Sequence, residues 1–447
     1  MIKKGAFFFV FVILLNQSFS QLILPLRDQA TITNEILNDR LTNLLPKLME
    51  REHIDMWIII SREYNEDPIL KTMLPAEWLS ARRRTILVFY HDSTKKVNEQ
   101  LAIARYNVGN QIKASWDMKK FPDQWDALID IINTRNPNKI ALNYSTDFAH
   151  ADGLTFTEQK IFIQKLPQKF QSKIVSAEKL GIGWLETRTE REMQLYPQLI
   201  QITHQIIAEG FSEKTIMPGV TTTDDLVWWF RQKIRDLGLD TWFHPSVEIQ
   251  RNDESSFDHL AAFTNKDKEV IQPGDLLHVD IGISYLRLNT DVQEHAYLLL
   301  PGETAAPTVL QKAFANGNRL QDILTSKFSI NKTGNEILSA ALSQAKQEGI
   351  IASIYTHPIG YHGHAAGPTI GMWDQQNGVP GSGDFPMHYN TAYSIELNAA
   401  TEIPEWKKSI RMMLEEDGFY SEKKFRFIGG RQKELLLIPR QNNAIGN

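Results

Sequence analysis

The chain has 447 residues, 42% hydrophobic and 23% charged, with 19 Pro and 25 Gly, which excludes disordered, collagenous and coiled-coil classes. A formal net charge of -5 without a long Lys/Arg run argues against nucleic acid as a partner and leaves substrates or proteins. There is no cysteine, so disulfides, thiol nucleophiles and Cys-ligated metals are all excluded and any metal must be held by His and carboxylates.

Lys3 and Lys4 precede an apolar run over residues 6–15, and Ser18 and Ser20 set small residues at -3 and -1 of a cleavage site before Gln21. This is the pattern of a secretory signal peptide. The run is about half the ~20 residues that a membrane span needs, so an exported chain, periplasmic or released, is expected without a membrane span. Over residues 21–180, strand-like runs at 56–60 and 85–89 alternate with helix-like stretches at 35–49 and 123–132, which predicts an α/β domain.

Residues 187–190 open a long helical pattern with Leu195, Leu199, Ile202 and Ile206 on one face. His204 within it reads as a surface or packing residue. A second helix starts near Thr222 with Asp225 three residues on, buries Leu226, Trp229, Ile234 and Leu237, and stops at Gly238. From about residue 270 the period becomes two, with Leu277, Val279 and Ile281 on one face and His278 and Asp280 on the other. A turn at residues 285–287 would return the chain through Asp291, Gln293, His295 and Tyr297. Asp280 and Asp291 are then expected to meet across the two strands. Helices follow at 305–324 and 334–347, then strand-like pieces around His362, Glu396 and Glu415.

Two facing carboxylates repel unless a cation or a shared proton neutralises them. The ordinary alternative is a pair of solvated turn aspartates. Further carboxylates favour the cation. Glu396 shares the polar face of an otherwise apolar strand with Ser394 and Asn398, and Ile410, Met412 and Leu414 turn Arg411, Met413 and Glu415 the other way. That parity selects Glu415 over Glu416. His362 and His364 lie two apart in the glycine-rich run 357–367 and share a face if it is extended. Four carboxylates and one His form a hard, oxygen-rich set with more negative charge than one divalent ion balances. Two bridged ions are therefore expected, Mn²⁺ before Co²⁺, Fe²⁺ or Zn²⁺.

The order Asp, Asp, His, Glu, Glu, its first two members eleven residues apart, resembles the M24 metallopeptidases of pita-bread fold, which include aminopeptidase P, prolidase and methionine aminopeptidase. By this resemblance residues 181–447 form an α+β pita-bread catalytic domain, and residues 21–180 are similar to the creatinase-type α/β N-terminal domain of aminopeptidase P and prolidase. The resemblance implies five metal ligands. Asp280 serves one ion, His364 and Glu396 serve the other, and Asp291 and Glu415 bridge the two. It further implies that a hydroxide between the ions attacks the scissile carbonyl, that Glu396 shuttles the proton, and that His259 steadies the oxyanion. His362 or His357 stands for the histidine just before the ligand His, contacting substrate.

Four positions depart from the family pattern. Gly371 stands where a second His follows His364 by seven residues, and Met413 stands where proline-specific members carry Arg, although Arg411 could reach the same face. Leu397-Asn398 replaces Pro-Gly, and Val292-Gln293 replaces a Thr-containing run. The implied activity is removal of an N-terminal residue that precedes proline, with prolidase-like dipeptide hydrolysis second. The complete ligand set argues against a metal-free hydrolase of the creatinase kind, and the losses at Gly371 and Met413 alone favour a catalytically silent binding protein. The resemblance also implies a homodimer.

Overall fold

The computed structural model describes residues 23–253 and 268–440. The expected signal peptide at 1–20 and His259 lie outside the described residues. None of the described helices is long and apolar enough to cross a membrane.

The first half builds one six-stranded sheet from β1 (Met56–Arg62), β2 (Arg84–Asp92), β3 (Val97–Ala102), β4 (Lys113–Ala114), β5 (Ile140–Leu142) and β6 (Ile174–Ser176), in the order β4-β3-β2-β1-β5-β6. β1 lies antiparallel to β2 and parallel to β5. Its unbroken apolar run follows from burial on both faces. Trp57 and Ile59 pack with Leu41, Leu45 and Leu48, whereas Met56, Ile58 and Ile60 pack with Leu128, Ile132 and Phe162. The helix expected at 35–49 starts earlier. It runs as Leu26–Asp39, a π turn at Arg40–Leu44, and Leu45–Arg51. Pro46 has no N–H to return to the preceding turn, which accounts for the widened segment just before it.

A buried ion cluster ties this helix to the second half. Arg40 reaches Glu192 at 2.9 Å and Arg188 reaches the same carboxylate at 3.0 Å. Glu192 also closes the capping box of the helix Glu190–Gly210 with Thr189, and Thr222 with Asp225 closes that of the helix Thr223–Asp236. Each box satisfies two N–H groups that a helix start leaves orphaned.

The strands of this half are β7 (Ser246–Gln250), β8 (Leu276–Ile281), β9 (Ser284–Tyr285), β10 (Leu288–Asn289), β11 (Val292–Leu298), β12 (Ile351–Ile354), β13 (His357–Ile359), β14 (Thr391–Ser394), β15 (Leu397–Ile403), β16 (Lys408–Leu414), β17 (Asp417–Tyr420), β18 (Phe425–Phe427) and β19 (Leu436–Ile438). They form the sheets β19-β11-β8-β7, β12-β15-β16 and β13-β14-β17-β18, with β9 and β10 as a short ribbon. The two capped helices cover the first sheet, with Leu199, Ile206, Leu226 and Phe230 against Leu277, Val279 and Ile281. The helices Thr308–Thr325 and Gly334–Gln347 cover the second, with Leu310, Phe314 and Leu338 against Leu397, Ala399 and Met412.

Two expectations change. Asp280 pairs directly with Gln293, not Asp291, which lies just before β11 and diagonal to Asp280. The cause is the turn. Leu286 and Arg287 both adopt positive φ, at 52° and 62°, so the ribbon closes between them in the primed-turn region, and a one-residue shift of a turn centre moves each partner by two. His362 is not in a strand, since β13 ends at Ile359 and the glycine-rich run bends away.

Chain order also breaks at two glutamates. β14 leaves its sheet at Ile395-Glu396 and resumes as β15 in another, and β16 becomes β17 across Glu415-Glu416. At the second break the backbone of Glu415 bridges to Gln293 of β11.

Candidate metal centre

Three sheets meet around Asp280, Asp291, His357, Glu396 and Glu415. Oxygen atoms of Asp280, Asp291 and Glu415 lie within 4.8 Å of one another, as do single donor atoms of His357, Glu396 and Glu415. His357 Nε2 stands 3.5 Å from Asp291 Oδ2, 3.8 Å from Glu415 Oε1 and 3.9 Å from Glu396 Oε2. Its Nδ1 lies 2.9 Å from the Pro358 carbonyl oxygen. A carbonyl only accepts, so Nδ1 carries the proton and Nε2 presents a lone pair to the carboxylates.

Among the described residues, neither His357 Nε2 nor Asp280 Oδ1, both buried, has a hydrogen-bond partner. Buried polar atoms are normally paired. Burial, then the neighbouring carboxylates, raises the protonation of Asp280, Asp291, Glu396 and Glu415 well above the carboxylate range, and burial pushes His357 down to about 4. Acids that resist ionising together, around an imidazole that resists protonation, are a donor set short of positive charge. Divalent cations fit it: four carboxylates, no thiolate, and one imidazole already oriented through its other nitrogen.

Gln293 holds this set in place, a role that sequence reading missed. Its Nε2 donates to Glu396 Oε1 at 2.7 Å and to Glu415 Oε2 at 2.8 Å, and its Oε1 accepts from His278 Nε2 at 3.0 Å. Ser394 donates to the other Glu415 oxygen. Asp417 accepts from the Asp291 backbone N–H at 3.2 Å. The signal for Gln293 was its position two residues beyond Asp291, on the same strand face.

The other predicted residues fall around the rim. His364 lies edge-on to His357 at 4.7 Å and to Trp242 at 5.1 Å between ring centroids. One of its nitrogens comes within 4.8 Å of donor atoms of Asp291 and His357, but it is not grouped with Glu396 and Glu415. Gly363 permits this arrangement, because a Cβ there would fall 2.3 Å from the Trp242 ring. His362 packs on His150, from the first half of the chain, at 4.5 Å between centroids. Arg411 is held through its backbone by the Gln250 side chain, at 2.8 and 2.7 Å. Glu416 points away from the cluster to His204, at 2.9 Å.

One of the apparent losses has a structural cause. Gly371 has φ +76°, and a Cβ there would lie 2.1 Å from the Ile354 carbonyl oxygen, so no histidine fits that position. Met413 is buried, and its backbone N–H donates to His295 Nε2 at 3.1 Å.

Residues 197–420 match metallopeptidase family M24. The chain belongs to that family. The M24 chain also resembles solved structures along nearly their whole length. X-Pro aminopeptidase from Thermotoga maritima aligns at TM-score 0.60 and 17% identity, covering 87% of this chain and 99% of that one. The Xaa-Pro dipeptidase of Bacillus anthracis aligns at 0.55 and 14%, covering 92% and 100%. The prolidase of Pyrococcus furiosus aligns at 0.54 and 14%, covering 87% and 100%. These likenesses carry the fold, an N-terminal α/β unit followed by a pita-bread catalytic unit. No curated protein matches the chain.

Proposed function

We propose that this M24 chain is a dinuclear metallo-aminopeptidase that removes an N-terminal residue preceding proline, with its ligand histidine at His357 instead of His364. The observation that carries the reading is the His357 Nε2 lone pair, buried and unpartnered among Asp291, Glu396 and Glu415. Asp280, Asp291, His357, Glu396 and Glu415 would hold the two ions. With His357 as ligand, His364 follows it by seven residues, so the second histidine of the family pattern is present and Gly371 is no longer a loss.

When bound, two divalent cations supply Lewis acidity for a carbonyl and lower the pKa of water towards neutrality. Mn²⁺ suits the oxygen-rich set. The protein's part is positional. Gln293 fixes Glu396 through Oε1 and leaves Oε2 on the His357 side, where it can take a proton and pass it to the leaving nitrogen. His364, beside His357 and Trp242, donates to the substrate carbonyl. His259 retains the oxyanion role. We place residues 21–180 and 181–447 as the two domains, with export following cleavage near Ser20 and a homodimer in solution.

The test is residues 21–447 loaded with Mn²⁺, given peptides that differ only in Pro or Ala at position two, with Asp291→Ala as control. Loss of the first residue from the Pro peptides alone supports the reading. Cleavage confined to Xaa-Pro dipeptides moves it to prolidase-like hydrolysis, and cleavage of the Ala peptides removes the proline requirement. No cleavage with Mn²⁺, Co²⁺, Fe²⁺ or Zn²⁺ overturns it in favour of a silent binding protein.

A further inference from the structure

A second group of metal-type donors lies behind the centre, on the opposite face of β11. His204 comes from the helix Glu190–Gly210, Glu294 from β11, and Glu416 from the break between β16 and β17. One donor atom of each lies within 4.8 Å of the others. His204 Nε2 is 2.9 Å from Glu416 Oε2 and 3.8 Å from Glu294 Oε1. The side chains of Glu294 and Glu416 are 8% and 2% exposed, and that of His204 is 20% exposed.

Glu416 is well satisfied, since its other oxygen accepts from the Gln432 backbone N–H at 3.0 Å. Glu294, more than nine-tenths buried, stands 3.8 Å from the same imidazole, beyond hydrogen-bond distance. Burial and then the charge of Glu416 push it up to about 8. A single proton on His204 cannot compensate two buried carboxylates.

We infer that His204, Glu294 and Glu416 form a separate site for one divalent cation, outside the dinuclear centre. One imidazole and two carboxylates are a set suited to Zn²⁺, with the solvent side at His204 left for a fourth, water ligand. Bonds of about 2.0–2.1 Å in tetrahedral geometry separate neighbouring donors by roughly 3.3 Å, which the measured 2.9 and 3.8 Å bracket. The ion joins the helix Glu190–Gly210 to β11 and to the residue following Glu415, so it braces the back of the catalytic sheet.

The full exported chain, stripped with chelator, reloaded with Zn²⁺ and dialysed, is assayed for zinc per chain. Wild type is expected to hold three ions, His204→Gln and Glu294→Gln two each, and Asp291→Ala one. If only the dinuclear reading is wrong, wild type holds one ion and His204→Gln none. Equal zinc in wild type, His204→Gln and Glu294→Gln overturns the inference and leaves a His204–Glu416 ion pair beside a protonated Glu294. Glu294→Gln preserves shape, so its folding, checked by circular dichroism, separates site loss from collapse. If it alone misfolds, His204→Gln decides the same count.

Discussion

The Gln293 amide nitrogen lies 2.8 Å from Glu415 Oε2, and the same nitrogen holds Glu396 at 2.7 Å. One neutral side chain thus fixes the spacing of two carboxylates that would otherwise repel. Gln293→Leu removes three hydrogen bonds at once, including that from His278. The expected result is a 10–100-fold loss of metal affinity, roughly the cost of losing an orienting partner, read by titrating the metal-free protein with Mn²⁺.

The two histidines of the site separate by variant. His357→Ala removes a donor from among the carboxylates, so on the proposed two-ion reading the protein is expected to bind one ion fewer. His364→Ala, altered at the rim, is expected to keep both ions while turnover falls by about 100-fold or more, the usual effect of losing a proton-handling side chain. Metal content and kcat, measured side by side, check the assignment; the opposite pattern reinstates His364 as the ligand.

pH gives a third test. Asp280, Asp291, Glu396 and Glu415 have folded-state pKa values raised well above those of the unfolded chain. The metal-free fold therefore binds more protons than the unfolded chain, and its stability falls as pH rises from about 4, where unfolded carboxyls ionise, through the raised folded values. Cation binding requires the ionised forms and strengthens over the same interval. The Tm of the metal-free protein is expected to drop between pH 5 and pH 8, and the increase produced by Mn²⁺ to be larger at pH 8. A Tm of the metal-free protein that stays level over this range contradicts the account.

Glu186 offers a pH effect remote from the centre. It is fully buried, both its carboxylate oxygens lack a hydrogen bond among the described residues, and burial raises it to about 8 despite the Arg51 charge. Above pH 4.5 the unfolded chain ionises this residue while the fold keeps the proton, so it destabilises increasingly up to pH 8. Glu186→Gln is expected to be more stable than the parent at pH 8, by on the order of a few kcal/mol, with little difference at pH 5. Denaturant unfolding at the two pH values measures it.

Local chemistry made much of the fold legible. Thr222 with Asp225 announced a helix start because a capping box is written in adjacent residues, and β8 declared its faces because period two needs no partner. Register was harder. The pairing of Asp280 with Gln293 depends on where Leu286 and Arg287 turn, and neither residue is a usual occupant of positive φ. The histidines were harder to place for a similar reason. The run 357–367 has the spacing of an extended segment, but only tertiary contacts decide that β13 ends at Ile359 and that a His357 nitrogen lies among donor atoms of Glu396 and Glu415. Gln293 carried no charge and no motif, so its place on the Asp291 face hinted at proximity, but its bonds to two acids show only where the three sheets meet.

That convergence bears on how the protein opens. Asp280 belongs to one sheet, His357 to another, and Glu396 and Glu415 sit at the seams where the chain passes between sheets. None of these three sheets can fray alone without pulling a donor out of the cluster, so an occupant of the cluster acts as a rivet through all three. Amide exchange in β8, β13 and β15 should then slow together when it binds, and the region should melt as a single cooperative unit.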